Sequence, residues 1–156
     1  MYCRILTVTQ KLPAWLETGF SEYLKRFSQG FQLQLIEIPL EKRTAKINTQ
    51  LAVEKEGERI LSLIKSNHHV VALHVLGESW STETLAKHMA EWQQHGPHID
   101  FLIGGPDGLS ASCLQRANQK WSLSKLTFPH HLVRLLLVEQ LYRVRTILID
   151  HPYHRR

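Results

Sequence analysis

Short apolar runs alternate along this chain with stretches whose apolar residues recur every three or four positions. Ile5, Leu6 and Val8 mark a β-prone segment over residues 3–9. Pro13 then opens a helix carrying Trp15, Leu16, Phe20, Tyr23, Leu24 and Phe27 at helical spacing, with Lys25 and Arg26 towards solvent. Residues 32–38 read as a second strand, ended by Pro39. Ile47, Leu51, Ile60, Leu61 and Ile64 mark a long helix with a charged middle; Gly57 inside it costs about 1 kcal/mol relative to alanine, which close packing would explain. Residues 70–76 are nearly all apolar, as in a strand buried on both faces, and the run stops at Gly77. Ser81 is placed to cap a helix with Glu83 in its first turn and Leu85, Met89 and Trp92 as its buried stripe, and Gly96-Pro97 ends it. A fourth strand, 99–103, runs into a glycine-rich turn, and a short helix follows over 110–118. Residues 121–128 mix strand formers with small hydroxyls and are closed by Pro129; the last helix is expected over 132–145, before a polar, aromatic tail.

The order βαβαβαβ predicts a single domain over residues 1–156, an α/β fold with three layers and a largely parallel sheet. The leucines and valines of the last helix fall all the way round its axis, so it is expected to be buried on every side. One chain of this size covers one or two of those sides easily, and a homodimer joined through this helix is the structural expectation.

Composition narrows the class. The chain has 156 residues, 43% hydrophobic and 21% charged, which excludes a disordered chain. Lys plus Arg number 19 against 14 for Asp plus Glu, a surplus that suits a polyanionic partner such as RNA as well as simple solubility. Only Cys3 and Cys113 are present, so no disulfide framework or Cys-x-x-Cys pair is expected. The N-terminus lacks the order of a signal peptide, and Arg134 and Glu139 interrupt the leucines of the last helix, so no membrane span is expected. A cytoplasmic location is the expectation.

The chemistry centres on Phe101-Leu-Ile-Gly-Gly-Pro-Asp-Gly-Leu-Ser110. Side chains vanish where the strand ends, which suits a ligand against bare backbone and equally suits a tight strand-to-helix turn. The phosphate loop Gly-x-x-x-x-Gly-Lys-Ser/Thr, the dinucleotide Gly-x-Gly-x-x-Gly and the hydrolase Gly-x-Ser-x-Gly are all absent. His130 and His131 are adjacent and cannot readily face one ion, and no cluster of carboxylate or thiolate ligands accompanies them or His151 and His154, three apart; no metal site is expected. Glu139 and Arg143 are spaced for an i,i+4 ion pair. In the tail, Tyr153, His154 and Arg155 could orient an RNA base or simply fray.

Four motifs in order carry a family resemblance: Ile103-Gly-Gly-Pro-x-Gly, Leu123-Ser-Lys-Leu-Thr-Phe-Pro-His130, Arg134…Glu139-Gln-x-Tyr-Arg143 and Tyr153-His-Arg155. With the Trp15…Gly19-Phe20…Tyr23-Leu24 helix and Lys55-Glu-Gly57, they span essentially the whole chain. The chain resembles the bacterial large-subunit rRNA pseudouridine methyltransferases of the SPOUT class, the YbeA-like RlmH family. The resemblance implies S-adenosyl-L-methionine-dependent methylation of N3 of a pseudouridine in helix 69 of 23S rRNA. It also implies the three-layer SPOUT fold with a C-terminal trefoil knot, and a homodimer. Carried over position by position, it implies cofactor binding at Leu73, Gly104, Leu123, Ser124, Lys125, Leu126, Thr127 and Phe128, and catalytic roles for Tyr153, His154 and Arg155. Gly104 and Gly105 are expected to clear space for the cofactor and Gly108 to serve the turn. His74 stands where the family tends to carry an acidic residue, so any contact of that carboxylate is missing here. Lys42, Arg43 and Lys46, with the tail, are the expected RNA-facing cations.

Two other functions fit the same pattern. One is a ribosome-binding module that keeps the fold without methyl transfer. The other is an α/β nucleotide phosphatase that uses the glycine turn for phosphate.

Overall fold

A βα alternation with short connections leaves parallel strands as the simple outcome, and every strand pair in the sheet is parallel. The computed structural model describes residues 1–27, 30–96 and 98–154. Five strands, β1 (Tyr2–Thr9), β2 (Gln32–Pro39), β3 (His69–Ser79), β4 (His98–Ile103) and β5 (Gln119–Ser122), lie in the order β2-β1-β4-β3-β5. The helices are α1 (Ala14–Arg26), α2 (Thr49–Ser62), α3 (Thr82–His95), α4 (Ala111–Arg116) and α5 (His130–Leu148), followed by a 3-10 turn, Pro152–His154.

Alternation along the central strands builds two cores. Cys3 and Ile5 of β1 and Phe101 and Ile103 of β4 pack with Phe20, Leu85, Met89 and Leu137, so α1, α3 and α5 cover one face. Leu6, Val8 and Leu102 point the other way and meet Ile60 and Cys113, so α2 and α4 cover the second face. This is the expected three-layer α/β architecture. Side-chain caps start three helices where the sequence provides them: Asn48, Ser81 and Ser110 accept from Leu51, Thr84 and Cys113 backbone N–H groups. Pro13 and Pro129 stand at the cap positions of α1 and α5, just before rather than inside those helices. Gly96 closes α3, and Pro97, expected to help end it, lies outside the described residues.

Two expectations need correction. β3 does not stop at Gly77, nor is its apolar run buried throughout: Val75 is 72% and Leu76 86% exposed. The register explains this, because Trp121 of β5 pairs first with Leu73 and again with Glu78. Residues 74–77 arch out of the sheet between those two pairings, carrying the apolar side chains with them. The second correction concerns α5, which one chain covers more fully than expected. Leu137, Val138, Leu141 and Val144 are fully buried, each burial contributing about 2 kcal/mol. α1 and α3 flank the helix, with Leu135 against Gly19 and Gln140 accepting from Thr82. The all-round apolar pattern therefore has three intramolecular covers: the sheet, α1 and α3.

Candidate active site

Ligands of parallel α/β sheets gather at the carboxyl ends of the strands, and here β4 and β5 end beside the point where β3 breaks register. Ala72 of β3 sits level with Leu102 of β4 and Lys120 of β5. One step on, Leu73, the Ile103-Gly104 junction and the Trp121–Ser122 end of β5 share one edge. The sequence-expected residues Leu73, Leu123, Ser124, Leu126, Thr127 and Phe128 line one depression of about 100 Å³, together with His74, Val75, Trp121 and Ser122. Lys125 lies in the same loop, exposed.

Local hydrogen bonds shape that loop. The Ser122 hydroxyl donates to the Ser124 carbonyl at 2.9 Å, and the Leu126 N–H donates to Ser124 Oγ at 3.0 Å. The turn leaves Leu126 70% exposed on one lip of the depression, opposite Val75 on the other. His74 is occupied locally: its Nδ1 accepts the Leu76 N–H at 3.2 Å. Trp121 Nε1 is buried without a partner among the described residues, a donor available to an acceptor entering from this side. A larger cleft of about 790 Å³ adjoins the depression through Trp121 and Leu123, and is bounded by Trp80, Gln140 and Arg143. Trp80 stacks on Trp121 with ring centroids 5.2 Å apart, a wall that sequence spacing did not reveal.

The glycine turn contributes differently from the expectation. A Cβ on Gly104 would lie 2.3 Å from the Gly108 carbonyl carbon, and one on Gly105 would lie 3.1 Å from Val8 Cγ1. Gly104 is thus required by the chain's own packing, a side chain on Gly105 would press on Val8 and Leu40, and Gly104 does not line the depression. Gly108 serves the turn as expected, with φ +82° and its N–H donating to the Gly105 carbonyl at 3.0 Å.

Tyr153 of the tail does not line the depression. Tyr153 meets Tyr142 edge-on at 4.7 Å, stands 3.5 Å from the Tyr23 hydroxyl, and lies under the Arg143 guanidinium at 5.2 Å. Burial, then the Tyr23 hydrogen bond, pushes the Tyr153 phenol up to about 12. At neutral pH it is a protonated hydrogen-bonding group rather than a base. Arg155 and the His154 side chain lie outside what the structure describes. Arg143 also holds the expected ion pair with Glu139, at 2.7 Å.

Other candidate chemistry resolves simply. Burial pushes the Cys3 and Cys113 thiols up, so neither is a nucleophile. Among the described residues no group of three or more His, Cys, Asp or Glu could hold a metal ion. His130 and His131 pack ring on ring at 3.8 Å, and burial lowers the His130 imidazole. Of the basic link, Lys42 and Lys46 are exposed, whereas Arg43 is engaged by Glu56 and Asp107. No helix among the described residues is long and apolar enough to cross a membrane.

A family model described as "Predicted SPOUT methyltransferase" matches residues 1–154. The chain belongs to the SPOUT methyltransferase family. Full-length relatives agree with that placement. This SPOUT methyltransferase is 49% identical over 155 residues to the protein named Ribosomal RNA large subunit methyltransferase H of Saccharophagus degradans, covering 99% of this chain and 100% of that one. It is 51% identical to the protein of the same name from Hahella chejuensis, covering 99% of each. With the one from Methylococcus capsulatus it shares 45% identity, over 99% of this chain and all of the relative. The family resemblance carried by the four motifs is thereby shown, and the five-stranded parallel sheet is the SPOUT α/β core.

Proposed function

We propose that this chain is an S-adenosyl-L-methionine-dependent rRNA methyltransferase that methylates N3 of a pseudouridine in helix 69 of 23S rRNA. The observation that carries this reading is the convergence of Leu73 and residues 123–128 at the strand ends of a protein similar along its full length to large-subunit rRNA methyltransferases. The residues fit the cofactor: apolar walls and loop backbone suit an adenine ring, and Trp121 Nε1 is a buried donor without a partner. Bound there, the cofactor would supply a methyl group activated on a sulfonium. Leu73 and Phe128 would hold the ring, the loop from Leu123 to Thr127, Lys125 included, would close over it, and Gly104 would form the neighbouring strand end. A cationic sulfonium calls for no phosphate nest, in keeping with the missing phosphate loop.

Methyl transfer to N3 is an in-line displacement, so this chain's work is alignment and removal of the N3 proton. We assign those tasks to Tyr153, His154 and Arg155. Tyr153, protonated at neutral pH, positions the base by hydrogen bonding, and Arg155 stabilises the developing anion. This reading includes a homodimer in which one protomer's tail serves its partner's cofactor site. Exposed Val75, Leu76 and Leu126 around the depression would be covered in that assembly. A C-terminal trefoil knot is part of this reading. Action on ribosomal RNA implies a cytoplasmic location.

The test is methyl transfer from radiolabelled cofactor to ribosomes lacking the modification. Wild-type protein transfers the label, and a truncation after Pro152 binds S-adenosylmethionine calorimetrically while transferring none. Unchanged turnover in the truncated protein would refute the tail assignment. Cofactor binding without transfer by the intact protein would favour a ribosome-binding module, and binding of ATP in preference to S-adenosylmethionine would favour a phosphatase.

A further inference from the structure

The glycine turn has little to hold it from within. A single bridge joins Gly105 to Gly108, so its position depends on outside contacts. Two consecutive residues of α2, on the sheet face opposite α5, provide them. The Glu56 side chain is 2% exposed, and its Oε1 accepts both the Glu41 N–H and Arg43 Nη1. The same guanidinium directs Nη2 to Asp107 Oδ2 at 2.8 Å, with Nε 3.2 Å from that oxygen. Asp107 is in the turn itself, and hydrogen bonding to Glu56 above all raises the Arg43 guanidinium. At the other end of the turn, Gly57 packs so closely on Ser110 that an added Cβ would lie 2.1 Å from its Oγ. Ser110 in turn caps α4.

We propose that Gly57 and Glu56, the latter through Arg43, are positioning residues that fix the glycine turn at the end of β4, the strand next to the one that carries Leu73 into the cofactor depression. Cofactor affinity at the carboxyl edge of the sheet then depends on a brace built on its far face. The proposal rests on the reading of the cofactor site given above. A planar guanidinium can bridge two carboxylates at once, and lysine, a point charge, cannot hold the same pair of directions.

The experiment compares Glu56→Gln, Arg43→Met and the milder surface variant Asp107→Asn with Arg4→Met. Arg4 forms a bidentate pair with buried Asp100, both distances 2.7 Å, where β1 and β4 begin, at the opposite edge of the sheet. In the three brace variants the Kd and KM for S-adenosylmethionine should rise about 10-fold, with kcat at saturating cofactor changed less than about twofold. Arg4→Met should lower Tm and leave Kd within about twofold. Gly57→Ala should raise Kd in the same way, and adding Ser110→Gly, which removes the obstructing side chain, should restore it. Hydrogen exchange at the amides of residues 104–109 reads the brace without cofactor and should quicken in the brace variants alone. Unchanged exchange and Kd in folded brace variants, or equal rises in Arg4→Met, would overturn the proposal. Wild-type protein that fails to bind S-adenosylmethionine while the exchange pattern holds would instead overturn the functional reading.

Discussion

At the scale of single residues, the positions that decide most are those where a side chain has no room or no partner. Gly104→Ala would press a methyl group into the Gly108 backbone, which cannot yield as a flexible side chain could. It should cost about 2–4 kcal/mol in denaturant unfolding and reduce cofactor affinity with it. Arg134 tests a different balance. It is 1% exposed and pairs through Nη1 with Glu37 at 2.8 Å, leaving Nε and Nη2 without partners among the described residues. Replacing a buried, half-satisfied cation by an apolar side chain removes its desolvation cost, whereas removing only its partner leaves the charge stranded. Arg134→Met should therefore change stability by less than about 1 kcal/mol, and Glu37→Ala should destabilise by more. The reverse order in urea titrations would show that the pair contributes net stability. Tyr153 gives a pH prediction. Its folded-state pKa lies above the ordinary value, so the contribution of its neutral form is complete below about pH 10 and is lost as pH rises towards 12. Ultraviolet titration should show one late-ionising phenol that disappears in Tyr153→Phe.

At the scale of elements, the cofactor edge depends on how β5 meets β3. Four residues of β5 pair with β3 on both sides of the 74–77 arch, and Gly77 admits the β5 backbone at the crossing. Gly77→Ala should separate the two strands and lower both Tm and cofactor affinity. The order of elements, the capping serines and the buried stripe of α3 were legible from apolar spacing and cap chemistry, because those are local rules; the stripe of α1 was legible in Leu16 and Phe20, but Trp15, read with them as core, is 64% exposed. The exposed Val75 and Leu76 were not, since an apolar run states preference for burial and not where the strand leaves the sheet. Gly57 was legible as an anomaly, and its reason, Ser110, is far away in sequence. Arg43 was misread as a free cation because nothing local announces Glu56 and Asp107 as its partners. Gly104 and Gly105 were read as space for a ligand, while the volume they free is taken up by Gly108 and Val8.

For the whole molecule, the residues proposed for function fall into two groups: Leu73 with the loop 123–128 around the depression, and Tyr153 beside Tyr23 and Tyr142. Motif resemblance proposes both groups, and periodicity could not show what surrounds each, which depends on contacts between elements distant in sequence. A homodimer that joins one group to the other should scatter light as twice the 18.1 kDa chain. Mixing protomers that carry Gly104→Ala with protomers truncated after Pro152 should then restore part of the activity each lacks alone. The most direct test of the central claim is to locate the transferred methyl group. Large-subunit particles lacking the modification are treated with the protein and S-adenosylmethionine, and the nuclease fragments of their rRNA are weighed by mass spectrometry. The account predicts one added methyl, on N3 of a pseudouridine in the helix 69 fragment; a methyl on another base or fragment, or none at all, would contradict it.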